Sequence, residues 1–161
     1  MRRGWYGRKE TLEPPLTPNP APKELFIREA CDAFLESKKS EDSMTILMTG
    51  RHAGISAQVL RICGDGKLFQ VKNRGVKQGK LFVDNVDPDV VCWFMGQNGP
   101  DPVGNKPNET LPWKMWIVEQ YVRLYSDLQK ITFWEDREEH VKEFRELDEL
   151  FEQTVIVHHI S

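Results

Sequence analysis

The residue types that could do chemistry are thinly spread along this chain of 161 residues. Arg51 and His52 lie between Gly50 and Gly54, with Ser56 close behind. A histidine in a loop after a strand could act as general base, with Ser56 or Cys63 as nucleophile. No residue nearby supplies the third group that would orient the ring. An enzyme centred on the His52 loop therefore ranks third among the functional readings. Gly64-Asp65-Gly66 is no phosphate loop, since neither the Walker spacing nor a G-x-G-x-x-G run occurs. It reads as a tight hairpin turn.

His158 and His159 are adjacent, and neighbours on a strand point to opposite faces, so they would not converge on one ion. His140, one turn after Asp136, reads as a surface ion pair or hydrogen bond. The acids Glu135, Asp136, Glu138, Glu139 and Glu143 read as the solvated face of a helix, and as a docking surface for something basic. These residues predict no catalytic group, no metal site and no cofactor.

The basic residues are more pointed. Seven lysines and arginines between 51 and 80 face Asp65 alone. Of these, Arg61, Lys67, Lys72, Arg74, Lys77 and Lys80 would gather around a hairpin, where they could neutralise nucleic-acid phosphates. Phe69 and Phe82 would stack on bases if they face outwards, and belong to the core if they do not. Against a dedicated nucleic-acid domain stand the pI of about 5.8 and the lack of any finger, helix-turn-helix or RNP-like motif. A second basic stretch opens the chain: Arg2, Arg3, Arg8 and Lys9, with the aromatic pair Trp5 and Tyr6.

The elements that must position these residues form one α+β domain, residues 23–161, behind an extended basic and proline-rich arm at 1–22. Prolines 14, 15, 18, 20 and 22 favour a polyproline II-like path for the arm. Apolar positions 26, 30, 33 and 34 predict a helix over 23–38. MTILMT at 44–49, ISAQVLRIC at 55–63, KLFQVKN at 67–73, LFVDNV at 81–86 and DVVCWFM at 89–95 read as strands. A short helix is the alternative for 55–63 and for 89–95. Together they predict a small antiparallel sheet of three to five strands within about 44–95.

Residues 96–112 form a glycine- and proline-rich loop of the length that is functional or pinned by a partner. Helical periodicity resumes at Trp113. Thr132 stands three residues before Glu135 in the capping-box pattern, which predicts a second helix over 133–152 and hence an αα-hairpin. QTVIVHHI at 153–160 is β-branched enough to return as a strand.

The three cysteines, Cys31, Cys63 and Cys92, show no C-x-x-C spacing and read as buried free thiols. No apolar run approaches a membrane span. The expected location is an intracellular, reducing compartment, cytoplasmic or within a virion.

The first functional reading is a non-catalytic structural or assembly protein, a virion component or an accessory subunit of a large machine. Its arm would dock on protein subunits, or on copies of itself, through Arg2, Arg3, Trp5, Tyr6, Arg8 and Lys9. The second is a nucleic-acid-binding accessory protein using the 61–80 hairpin and the arm.

Overall fold

The computed structural model describes residues 8–77 and 80–161. The chain forms two compact units, the first ending at Gln97 and the second running from Asn98 to Ser161. Helix and strand are mixed throughout, broadly α+β, but the strands are arranged differently from the expected meander. Among the described residues they make three two-stranded sheets, two of them parallel.

In the first unit, α1 (Arg28–Lys39) precedes β1 (Thr45–His52), and α2 (Ser56–Asp65) follows a single 3-10 turn at Ala53–Ile55. The stretch expected as a strand at 55–63 is thus a helix. Ile55, Leu60 and Cys63 are buried, a helical spacing that strand alternation could not bring to one side. Asp65-Gly66 consequently ends that helix and does not turn a hairpin: Gly66 N–H closes onto the Ile62 carbonyl at 2.9 Å. The antiparallel hairpin comes one element later, as β2 (Val71–Lys77) with β3 (Lys80–Asn85).

β4 (Val90–Met95) then returns parallel to β1, pairing Thr45 with Val90 through Thr49 with Phe94. A parallel pair needs a long crossover, which α2 and the hairpin provide. Leu60, Cys63, Leu68, Phe69, Val83, Val90 and Phe94 form the core of this unit. Phe69 is therefore core, tilted against Phe34 at 6.4 Å between ring centroids, and offers no face to a base. The side chain of Phe82 lies outside the described set.

The segment at 8–22 is fastened to α2. Leu12, Thr17 and Ala21 are buried. Buried Arg61 donates to the carbonyls of Leu12 and Pro18 and to the Asp65 carboxylate, while Asp65 accepts the Ala21 N–H at 3.0 Å. Gln58 adds a bond to Glu13 at 2.9 Å.

The second unit contains α3 (Thr110–Leu124), β5 (Lys130–Glu135), α4 (Glu138–Leu150) and β6 (Thr154–His159). No αα-hairpin forms. Residues 130–135 are a strand, because Ile131, Phe133 and Glu135 alternate with Thr132 and Trp134 in a β-branched and aromatic run. Thr132 and Glu135 therefore never meet as a capping box, and Glu135 turns inward. β5, α4 and β6 make a βαβ unit, with β6 parallel to β5.

The loop before α3 is held by that helix. Gln120, fully buried, accepts the Asp101 N–H at 2.9 Å and donates to the Asn98 carbonyl at 3.1 Å. Gly99, at φ +76°, leaves no room there for a Cβ against Gln120 and Ile117.

Candidate functional site

The carboxyl end of β5 gathers the most unusual chemistry. Phe133 stacks on Phe144 of α4 with centroids 4.3 Å apart. Two residues on, the same strand face carries Glu135 inward, where it is only 6% exposed. Lys114, from the first turns of α3, is also buried and places Nζ 2.6 Å from Glu135 Oε2. Glu135 Oε1 accepts the backbone N–H groups of Asp136 and Arg137, each at 3.2 Å. His140 of α4 is buried too, with Nδ1 3.5 Å from Glu135 Oε2 but no hydrogen bond there.

Burial alone would raise the Glu135 carboxyl. The Lys114 charge and hydrogen bond, with those from Asp136 and Arg137, instead carry it down to about 2. Asp136 moves the other way. Partial burial, then the hydrogen bond and charge of Glu135, raise it above its ordinary value.

The sign of the pH effect follows from the Glu135 shift. A depressed carboxyl stabilises the fold fully above its unfolded value near 4.5, and that contribution is lost as pH falls towards and through about 2. Acid titrations of stability should therefore show a proton-uptake step in this window. Glu135→Gln should lack that step; an identical slope in the variant would refute the assignment.

Beside Asp136, the paired end of β6 carries His158 and His159. Their rings separate as strand alternation requires. His158 stacks on Trp134 at 4.0 Å between centroids, while His159 Nε2 lies 3.3 Å from the Asp136 carbonyl oxygen. Among the described residues no three His, Cys, Asp or Glu side chains gather into a group able to hold a metal ion.

In the first unit, the carboxyl ends of β1 and β4 carry Arg51, His52, Gly96 and Gln97. Arg51 Nη1 donates to Thr11 Oγ1 at 3.2 Å, and its N–H to Thr49 Oγ1 at 3.1 Å. His52 is exposed, and its Nδ1 accepts the Gly54 N–H at 3.2 Å. In open sheets with parallel strands, ligands bind outside the carboxyl ends. Both parallel pairs of this chain carry polar or charged residues at that end.

Of the basic set expected to contact nucleic acid, Arg61 is turned inward. Arg61 is 4% exposed and bound to backbone and Asp65. Lys67 and Lys72 are exposed. The side chains of Arg74, Lys77 and Lys80 lie outside the described residues, as do Arg2, Arg3, Trp5 and Tyr6 altogether. Arg8 and Lys9 are exposed.

All three cysteines are free. Burial pushes Cys63 up to about 12 and Cys92 up to about 11, and burial with the Asp32 charge raises Cys31. Cys63 and Cys92 are therefore held as thiols at neutral pH.

The sequence pattern does not single out Lys114, and it places Glu135 on a solvated helix face and His140 in a surface ion pair or hydrogen bond. A lysine between Trp113 and Trp116 on an otherwise apolar helix face was the available signal. So was an acid ending the run Ile131–Trp134.

A comparison with models of protein families matches residues 2–160 to HAD domain family 1 in Swiss Army Knife RNA repair proteins. No curated protein and no solved structure matches the chain. HAD domains form a hydrolase and phosphatase superfamily, so the match points to an enzyme with a nucleic-acid-related role. It overturns the reading as a non-catalytic structural, assembly or virion protein, and protein-assembly partners lose their support. With its match running over almost the whole length, the chain belongs to HAD domain family 1 of the Swiss Army Knife RNA repair proteins.

Proposed function

We propose that this chain hydrolyses a phosphoester at an RNA terminus, and that Glu135 and Asp136 at the carboxyl end of β5 belong to its site. The observation that carries the reading is the divided carboxylate pair. Glu135 is locked as an anion by Lys114, and Asp136 beside it is exposed.

Phosphoryl transfer asks a protein mainly for positioning and for management of negative charge. Lys114 and the two backbone N–H groups hold both oxygens of Glu135, so that carboxylate cannot swing. Fixed in this way, it sets the position of the Asp136 backbone and the field at its carboxyl group. An exposed carboxylate suits magnesium, which is commonly held by one or two carboxylates together with substrate phosphate oxygens. Asp136 is the exposed donor and would hold the ion. When bound, it would neutralise charge on the transferred group.

The test is phosphate release from 5′- and 3′-phosphorylated RNA oligonucleotides in magnesium. Asp136→Asn should lower the rate by about 100-fold or more without changing the folded fraction, whereas Glu152→Gln should match the parent. Equal rates for Asp136→Asn and the parent, or no release from either end, would reject the reading.

A further inference from the structure

We propose that the outer face of the β5–β6 sheet is a landing surface for single-stranded RNA, on which a nucleobase stacks against the Trp134–His158 pair. The inference rests on the reading that the chain acts on RNA, and adds where the strand next to the reacting phosphate is held. Its test reads binding, not turnover.

Alternation divides the two paired strands into faces. Phe133, Glu135 and Val155 point to one side and are buried, with Phe144 of α4 stacked on Phe133. Lys130, Thr132 and Trp134 of β5 share the other side with Thr154, Ile156 and His158, their partners in register on β6. Four of these six are exposed, and Trp134 and His158 are half-buried. Parallel strands are ordinarily covered on both faces. This face is left open, with Ile156 38% exposed.

Charge points to the kind of partner. None of the six residues is a carboxylate, and Lys130 is a cation. Across the sheet, α4 carries the exposed acids Glu138, Glu139, Glu146 and Glu149. On a chain of net charge −3, the carboxylate-free face is one where a polyanion meets little repulsion.

The aromatic pair supplies the contact. The rings of Trp134 and His158 lie 16° from parallel, with centroids 4.0 Å apart. Two rings that hold each other lose little further freedom when a base joins them. An imidazole is smaller than an indole and covers only part of its face. Every base has a π-face, so such a platform gives affinity without sequence preference.

The placement agrees with the proposed site. Trp134 stands two residues before Asp136, and His159, next to His158, has Nε2 3.3 Å from the Asp136 carbonyl oxygen. A purely structural stack would hold Trp134 and His158 together equally well. It would be indifferent, however, to whether a ligand carries bases.

The experiment compares a single-stranded RNA hexamer with an abasic hexamer of the same sugar–phosphate backbone. Each is titrated with the full chain in the absence of magnesium, and binding is followed by fluorescence anisotropy. The parent should bind the base-bearing strand about tenfold more tightly. Trp134→Leu should remove that advantage and Trp134→Phe should keep part of it, with the salt dependence of binding unchanged in both. A parent that binds the two strands alike overturns the proposal, and needs no variant to show it. So does a folded Trp134→Leu protein that keeps the parent's preference. So does a dimer in sedimentation that Ile156→Lys separates while RNA binding stays as in the parent. If the base preference fails while phosphate release from RNA persists, only this inference falls. If the preference holds and no phosphate is released, the proposed activity falls and the platform stands.

Discussion

Lys114→Met should destabilise the protein by about 3–5 kcal/mol, the largest effect expected of any substitution near the site. The variant leaves Glu135 where β5 puts it, at 6% exposure, with an oxygen that had Lys114 Nζ at 2.6 Å. A buried carboxylate without its cation costs far more than the net worth of the pair, because the desolvation penalty remains. His140 Nδ1, 3.5 Å away and not hydrogen-bonded, does not stand in for the lysine as the residues are arranged. The double variant Lys114→Met/Glu135→Leu removes both charges and should recover most of the loss. Urea denaturation of the parent, both single variants and the double variant gives the coupling energy directly. A Lys114→Met protein within about 1 kcal/mol of the parent, in the range of exposed pairs, would show that the two groups are not the buried pair described. Phosphate release should also fall in the folded fraction, since Glu135 would no longer be held as an anion beside Asp136.

How much of this was legible in the sequence depends on what each residue needed to reveal itself. The last strand and the β1, β3 and β4 segments are readable from propensity, and the helix expected over 23–38 forms over Arg28–Lys39. The strand at 130–135 is not readable in that way. Thr132 and Glu135 carry the capping spacing, which competes with the β-branched alternation of the same run, and the strand that forms packs Phe133 on Phe144 and pairs with β6. Read as a helix start, the same segment puts Glu135 and His140 on a solvated helix face and hides the buried pair. Parallel pairing was hidden for a related reason. β1 and β4 are separated by a helix and a complete hairpin, and local pattern does not reveal which strands meet across such a crossover. His52, by contrast, is marked by its loop and its glycine neighbours, although its close approach to Gly96 depends on a register no spacing discloses.

Arg61 tests the other misreading, in which it joined Lys67 and Lys72 as a nucleic-acid contact. If it were one, Arg61→Met would leave stability alone and reduce the salt dependence of RNA binding by about one counterion. The structure predicts the reverse. The guanidinium satisfies the carbonyls of Leu12 and Pro18 and faces Asp65 at 3.0 Å, with both charged side chains at 5% exposure or less. Arg61→Met orphans those carbonyls and leaves the Asp65 carboxylate with the Ala21 N–H but without the guanidinium charge. The expected loss is about 3–5 kcal/mol. Arg61→Lys should recover only part of it, because a single ammonium cannot reproduce a planar fork aimed at three acceptors. The damage should also be local before it is global. Hydrogen exchange at Thr17 and Ala21, both buried beneath this clamp, should accelerate in Arg61→Lys under conditions where α4 remains protected. Uniform acceleration of both units would mean that the 8–22 segment is not what Arg61 holds. Unchanged stability with a reduced salt slope would return Arg61 to the RNA-binding surface.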